Sequence, residues 1–103
     1  MTDVLTRIKR AVLSGRFAFS EKATIEMERD GLTELDVVEA VSTATAIYKR
    51  IRSRRPEAGG KREYLYIIQG TNLSGLVIYT KGKLVPEGST ETYYFLISAK
   101  RVL

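Results

Sequence analysis

Apolar positions change their spacing once along the chain. Up to Ala44 they recur at helical intervals, and beyond it they alternate. Val4, Leu5, Ile8, Ala11 and Val12 mark a first helix, with Arg7, Lys9 and Arg10 on its outer side. Thr2 is its expected cap, Asp3 suits its first turn, and Ser14-Gly15 ends it. Arg16-Phe17-Ala18-Phe19 reads as a short connector whose two aromatics plug the core. Ser20 caps a second helix running to about Asp30, with Ala23 and Met27 on one face, and Gly31 stops it. Thr33 with Asp36 gives a capping-box-like start to a third helix. Its expected inward stripe is Leu35, Val38 and Val41, joined by Val37 and Ala44.

Four strands are expected after the switch. Ala46 to Arg52 places Ile47 and Ile51 on one face and Tyr48, Arg50 and Arg52 on the other. Residues 53–61 form a loop by their Pro, paired Gly and charge, and Arg62 to Gln69 is the second strand. Gly70 to Gly75 turns the chain into Leu76–Thr80, the third strand, and Lys81 to Thr90 reads as another loop. The fourth strand, Thr92 to Val102, is aromatic and branched. Tyr93, Phe95, Ile97 and Ala99 take one face, and Thr92, Tyr94, Leu96 and Ser98 the other. Both faces are largely apolar, which places this strand inside the sheet with helices over at least one side. Helices first and strands afterwards predict one α+β domain over residues 1–103, with three N-terminal helices on a mainly antiparallel four-stranded sheet.

Composition narrows the chemistry. The chain has no cysteine, which excludes disulfides and thiolate metal sites and fits a reducing compartment. It has no histidine, which removes the commonest acid/base group and the commonest metal ligand. Catalysis would have to run on carboxylates, Lys, Arg, Tyr or Ser, and no metal or cofactor is expected. With no signal-peptide core and no apolar run of spanning length, the expected location is cytoplasmic and away from membranes. The net charge of +5 is unevenly spread. The chain is slightly acidic up to Thr45, and nearly all the excess positive charge follows Ala46, as expected of a polyanion binder or of a protein with an acidic partner. Arg50, Arg52, Arg54, Arg55, Lys61, Arg62 and Lys83 are the candidate RNA- or partner-binding cations. Arg50, Arg52, Arg54 and Arg55 also read as protection of an edge strand, or as a surface that an acidic segment covers. Lys100-Arg101, two cations where an apolar strand ends, are a candidate phosphate grip.

The stretch Phe19-Ser20-Glu21-Lys22-Ala23-x-x-Glu26-Met27-Glu28-Arg29-Asp30-Gly31-Leu32-Thr33-x-x-Asp36-Val37 resembles the opening motif of small RelE-like toxins, including an uncharacterised-domain family related to BrnT and MqsR. The ending Tyr94-Phe95-Leu96-Ile97-Ser98-Ala99-Lys100-Arg101 is similar to the close of the BrnT group. Together these cover most of the chain from Phe19 onward. The resemblance implies a RelE-like fold and the toxin of a toxin–antitoxin pair, a metal-independent endoribonuclease acting on mRNA, free or ribosome-bound, and held in check by a cognate antitoxin. Pairing with a second copy stays open. Lys22 stands where the family has His, and Arg29-Asp30-Gly31 stands where it has Glu-Arg-Gly.

Cleaving RNA without metal needs a base for the 2′-hydroxyl, cations for the crowded phosphate and an acid for the leaving oxygen. The candidate catalytic set is Lys22, Arg29, Lys81, Lys100 and Arg101, supported by Tyr79 and Tyr94. Convergence of the lysines would bring one of them toward neutrality as a base, and arginine grips phosphate bidentately. Several residues also have a plain reading: Lys22 and Arg29 as solvated helix charges, and the tyrosines as sheet residues, while Ser98 reads as a small strand residue. Two rival functions accompany these readings. One is a non-catalytic module binding nucleic acid or protein, and the other is a structural subunit whose basic sheet docks an acidic protein.

Overall fold

A computed structural model of the chain describes residues 3–56, 62–87 and 91–102. Three helices, α1 (Val4–Leu13), α2 (Glu21–Asp30) and α3 (Glu34–Thr43), come with five strands. These are β1 (Phe17–Phe19), β2 (Lys49–Pro56), β3 (Arg62–Thr71), β4 (Val77–Glu87) and β5 (Glu91–Arg101). They form one sheet in the order β1-β5-β4-β3-β2, with β1 parallel to β5 and every other pair antiparallel. The fold is α+β, but the sheet is five-stranded and mixed.

The fifth strand is the Phe17–Phe19 segment expected to be a connector. It is three residues long and pairs Phe17, Ala18 and Phe19 with Tyr94, Phe95 and Leu96. β4 runs on to Glu87 through the stretch expected to be a loop, and β2 begins at Lys49 rather than Ala46. Ile47 therefore precedes the strand and packs on the core, while Ile51 pairs with Leu65 on the opposite side of the sheet.

Local chemistry sets the helix ends. Asp3, not Thr2, caps α1, accepting from the Thr6 N–H at 2.8 Å; Thr2 lies outside the described residues. Ser20 caps α2 through the Ala23 N–H, and Gly31 closes it at φ 69°, a left-handed conformation that suits glycine. At α3 the capping box is complete: Asp36 N–H donates to Thr33 Oγ1 and Thr33 N–H donates to Asp36 Oδ2. The buried stripe of α3 is Val37, Ala40 and Val41, whereas Leu35 is 64% exposed and points away from the core.

All three helices pack on one side of the sheet. Ile8, Val12, Ala23, Met27, Val37 and Val41 meet Tyr66, Ile68, Ile78, Tyr94, Leu96 and Ala99 in a single core. Tyr66, Ile68, Thr80 and Gly82 share this side through cross-strand pairing, as do Leu96 and Ala99. The intervening residues (Leu65, Ile67, Tyr79, Lys81, Lys83, Phe95) take the other side, which no helix among the described residues covers.

One irregularity shapes everything downstream. Lys81 pairs with Ser98, but the next residue, Gly82, pairs with Leu96, so Ile97 is an extra residue in β5. Such a β-bulge resets the alternation of side chains. Ala99 accordingly falls on the helix side with Tyr94 and Leu96, and Ser98 and Lys100 fall on the open side with Lys81 and Tyr79. The strict alternation expected for this strand had Ala99 and Ser98 the other way round.

Candidate nucleic-acid interface

The open side of the sheet collects cations and aromatics. Tyr79 and Lys100 are direct cross-strand partners, and the Lys100 ammonium lies 5.2 Å from the centroid of the Tyr79 ring. Lys81 follows two residues along β4 on the same side, opposite Ser98. Lys83 is engaged, its Nζ 2.9 Å from Glu63 Oε2 in a half-buried ion pair. Neither Lys81 nor Lys100 has a carboxylate partner at ion-pair distance among the described residues. Both keep their charge available to a polyanion.

Helix α2 forms the wall of this site. β1 stops at Phe19 opposite Leu96, leaving the outer edge of β5 from Ile97 onward without a strand partner among the described residues. Side chains of α2 and its cap occupy that edge. Ser20 Oγ donates to the Ile97 carbonyl at 2.9 Å. The Ala99 N–H donates to Glu26 Oε1 at 3.1 Å, and the Arg101 N–H to Asp30 Oδ2 at 3.0 Å. An unpaired buried backbone group costs about 1–3 kcal/mol, which the Glu26 bond to the buried Ala99 N–H avoids.

Glu26 does more than close the edge. It is only 7% exposed, and Ser98 Oγ donates to its Oε1 at 2.6 Å. Because Ser98 lies on the open side, this bond draws the carboxylate to the corner where α2 meets the open face. Burial first, and then the Glu26 charge, hold the Tyr79 phenol above the ordinary tyrosine range. On α2, Lys22 and Arg29 lie one turn before and one turn after Glu26, and all three border one shallow depression with Glu21 and Ile25.

The expected catalytic residues therefore divide into three groups. Tyr79, Lys81 and Lys100 come together on the open face. Lys22 and Arg29 flank Glu26 on α2, with the Arg29 guanidinium held by Asp30 at 3.0 Å. Arg101 is exposed on the helix side of the sheet end, opposite Ile78. Tyr94 joins none of these groups. It is fully buried beneath Gly82, its hydroxyl has no hydrogen-bond partner among the described residues, and burial holds its phenol far above the tyrosine range. Its place is in the core.

Among the candidate binding cations, Arg50 and Arg52 are exposed on β2, and the Arg50 guanidinium stacks 4.7 Å from the Tyr64 ring centroid. Both lie on the helix side, away from Lys81 and Lys100. Lys61 and the side chains of Arg54, Arg55 and Arg62 lie outside the described residues. Among the described residues no cluster of His, Cys, Asp or Glu is placed to hold a metal ion, and no helix is long and apolar enough to cross a membrane.

Glu26 and Ser98 are the members that sequence reasoning missed. The signal was a carboxylate at position 26, between Ala23 and Met27 on the inward stripe of α2, where an apolar residue is the norm. Comparison with protein-family models, with curated proteins and with solved structures finds no match to this chain.

Proposed function

We propose that this protein is an RNA-acting toxin of RelE-like type that holds single-stranded RNA on the open sheet face and cleaves it without metal. The observation that carries the reading is the Lys100 ammonium over the Tyr79 ring, beside Lys81, which has no carboxylate partner among the described residues. A rigid sheet face bearing rings and charges offers unstacked bases a surface and phosphates a counterion. Half-buried Tyr93 and Phe95 extend the platform along β5, and exposed Lys49 adds charge on β2. The chemistry falls to Lys81 and Lys100 as charges on the phosphate, with Tyr79 stacking on a base or donating a hydrogen bond. A toxin implies an antitoxin. The unpaired edge of β2, with Lys49, Arg50 and Arg52 exposed on it, suits an acidic extended segment that adds a strand.

The test is cleavage of mixed-sequence RNA in EDTA, with and without ribosomes, by the wild type and by Lys81→Ala/Lys100→Ala. Cyclic or 3′-phosphate ends from the wild type alone are the expected outcome. A second reading, a module that binds RNA without cutting it, is favoured by one observation: Arg29 is tied to Asp30 and Tyr94 is sealed in the core, so the expected catalytic set does not assemble as a whole. Salt-sensitive binding with no cleavage, ribosomes included, would select that reading.

A further inference from the structure

The open face has charges for a phosphate but no evident group to take a proton from a 2′-hydroxyl. With no histidine in the chain, the best-placed lone pair belongs to a carboxylate. We propose that Glu26 is the general base of this site, acting through the carboxylate oxygen that the protein leaves free. The inference rests on the ribonuclease reading above.

Three observations place Glu26 in this role. Its Oε1 is fixed by two donors, Ser98 Oγ at 2.6 Å and the Ala99 N–H at 3.1 Å, whereas no donor among the described residues meets its Oε2. The residue borders the depression on α2 that Lys22 and Arg29 also line, with a cation to either side of it. Finally, Ser98 sits across from Lys81 on the open face, next to the Tyr79–Lys100 pair. A carboxylate clamped at one oxygen and open at the other is oriented in advance, which is what a base at a fixed attack angle requires.

The step balances without a co-reactant. Glu26 Oε2 takes the proton of the 2′-hydroxyl, the 2′-oxygen forms a bond to phosphorus, and the bond from phosphorus to the 5′-oxygen breaks. The Lys100 ammonium gives its proton to the departing 5′-oxygen. The products are a 2′,3′-cyclic phosphate and a free 5′-hydroxyl, and both side chains recover their protonation from water.

The experiment compares the wild type with Glu26→Gln on a labelled mixed-sequence RNA in EDTA over a range of pH. Binding is read separately with the 2′-deoxy version of the same strand, which cannot react. Glu26→Gln is expected to cut at least about a hundredfold more slowly and to lose the fall in rate on the acid side. Its affinity for the deoxy strand and its unfolding temperature should match those of the wild type. Equal cleavage by both proteins overturns the role of Glu26 and leaves the ribonuclease reading standing, whereas no cleavage by the wild type overturns both. Ser98→Ala guards against a folding defect, because it removes one clamp and keeps the carboxylate. It should stay at least about tenfold faster than Glu26→Gln, since it removes one charge-assisted hydrogen bond to the carboxylate and keeps the base itself. If it is as inactive as Glu26→Gln, the clamp and not the base is what matters, and the proposal fails.

Discussion

The Lys100 ammonium rests over the ring of Tyr79, 5.2 Å from its centroid, and the two residues face each other across β4 and β5. They meet because of the bulge at Ile97. Unbroken alternation from Tyr94 and Leu96 would carry Lys100 to the helix side, into the core. One inserted residue thus converts the end of a buried strand into part of an open, charged surface.

If that surface binds RNA, its lysines act as phosphate contacts. Lys81→Ala and Lys100→Ala should each weaken binding to single-stranded RNA, and each should flatten the dependence of log affinity on log salt by about 0.7. Tyr79→Ala should cost about 1–3 kcal/mol of binding if a base stacks on the ring, whereas Tyr79→Phe should retain most of the affinity. Fluorescence anisotropy over a salt series measures all four variants.

Gly82 marks where the sheet touches its own core. A Cβ there would come within 2.6 Å of Tyr94 Cζ and 2.8 Å of the Phe95 carbonyl oxygen. Neither can withdraw, because Tyr94 is fully buried and Phe95 belongs to the sheet ladder. Gly82→Ala should destabilise the protein by about 1–3 kcal/mol. Urea unfolding monitored by circular dichroism would show the shift.

Tyr94 offers a test with a pH axis. Its folded phenol is held above the ordinary value of 10.0 by burial, so above that pH the unfolded chain gives up a proton that the folded chain keeps. Stability should be intact below about pH 10 and fall as pH rises beyond it, by up to about 1.4 kcal/mol per pH unit. Tyr79 is raised too and pulls in the same direction. Tyr94→Phe should therefore reduce the alkaline slope without abolishing it. At pH 8 the variant should be as stable as the wild type or more so, because the lost hydroxyl has no hydrogen-bond partner among the described residues. Its RNA affinity should not change. Urea midpoints at pH 8 and pH 10.5 separate the two effects.

The start of α3 gives the acid-side counterpart. Asp36 is held below its ordinary 3.8, chiefly by the Thr33 N–H and then by the Asn72 amide. A lowered folded value means stability that is present above pH 3.8 and lost as pH falls through the folded value. Asp36→Ala should cost about 1 kcal/mol at pH 7 through loss of the capping box, and should unfold with a weaker acid dependence than the wild type. Thermal unfolding from pH 7 down to pH 3 would measure both.

The helices were legible because their ends carry local chemistry: Ser20 before α2, Gly31 after it, and Thr33 with Asp36 at α3. β1 was not, since three residues hold no period and their partner lies far along the chain. Gly82 and Pro86 disguised the second half of β4 as a loop. Gly82 is there for the ring of Tyr94, and Pro86 pairs near the strand end, opposite Thr92. For the site, Tyr79, Lys81 and Lys100 could be read as chemistry, but not the side of the sheet they share, because that depends on a bulge without a sequence signature. Tyr94 looked equivalent to Tyr79 until its pairing with Leu84 and the helices over that side placed it in the core.

The most direct measurement is a titration of the labelled protein with a short single-stranded RNA, followed by amide and side-chain NMR shifts. Changes centred on Tyr79, Lys81, Ser98 and Lys100, extending to Lys22 and Glu26 and fading toward α1 and α3, are the expected result. Shifts confined to the helix side or to β2, or no shifts at all, would contradict RNA binding on the open face.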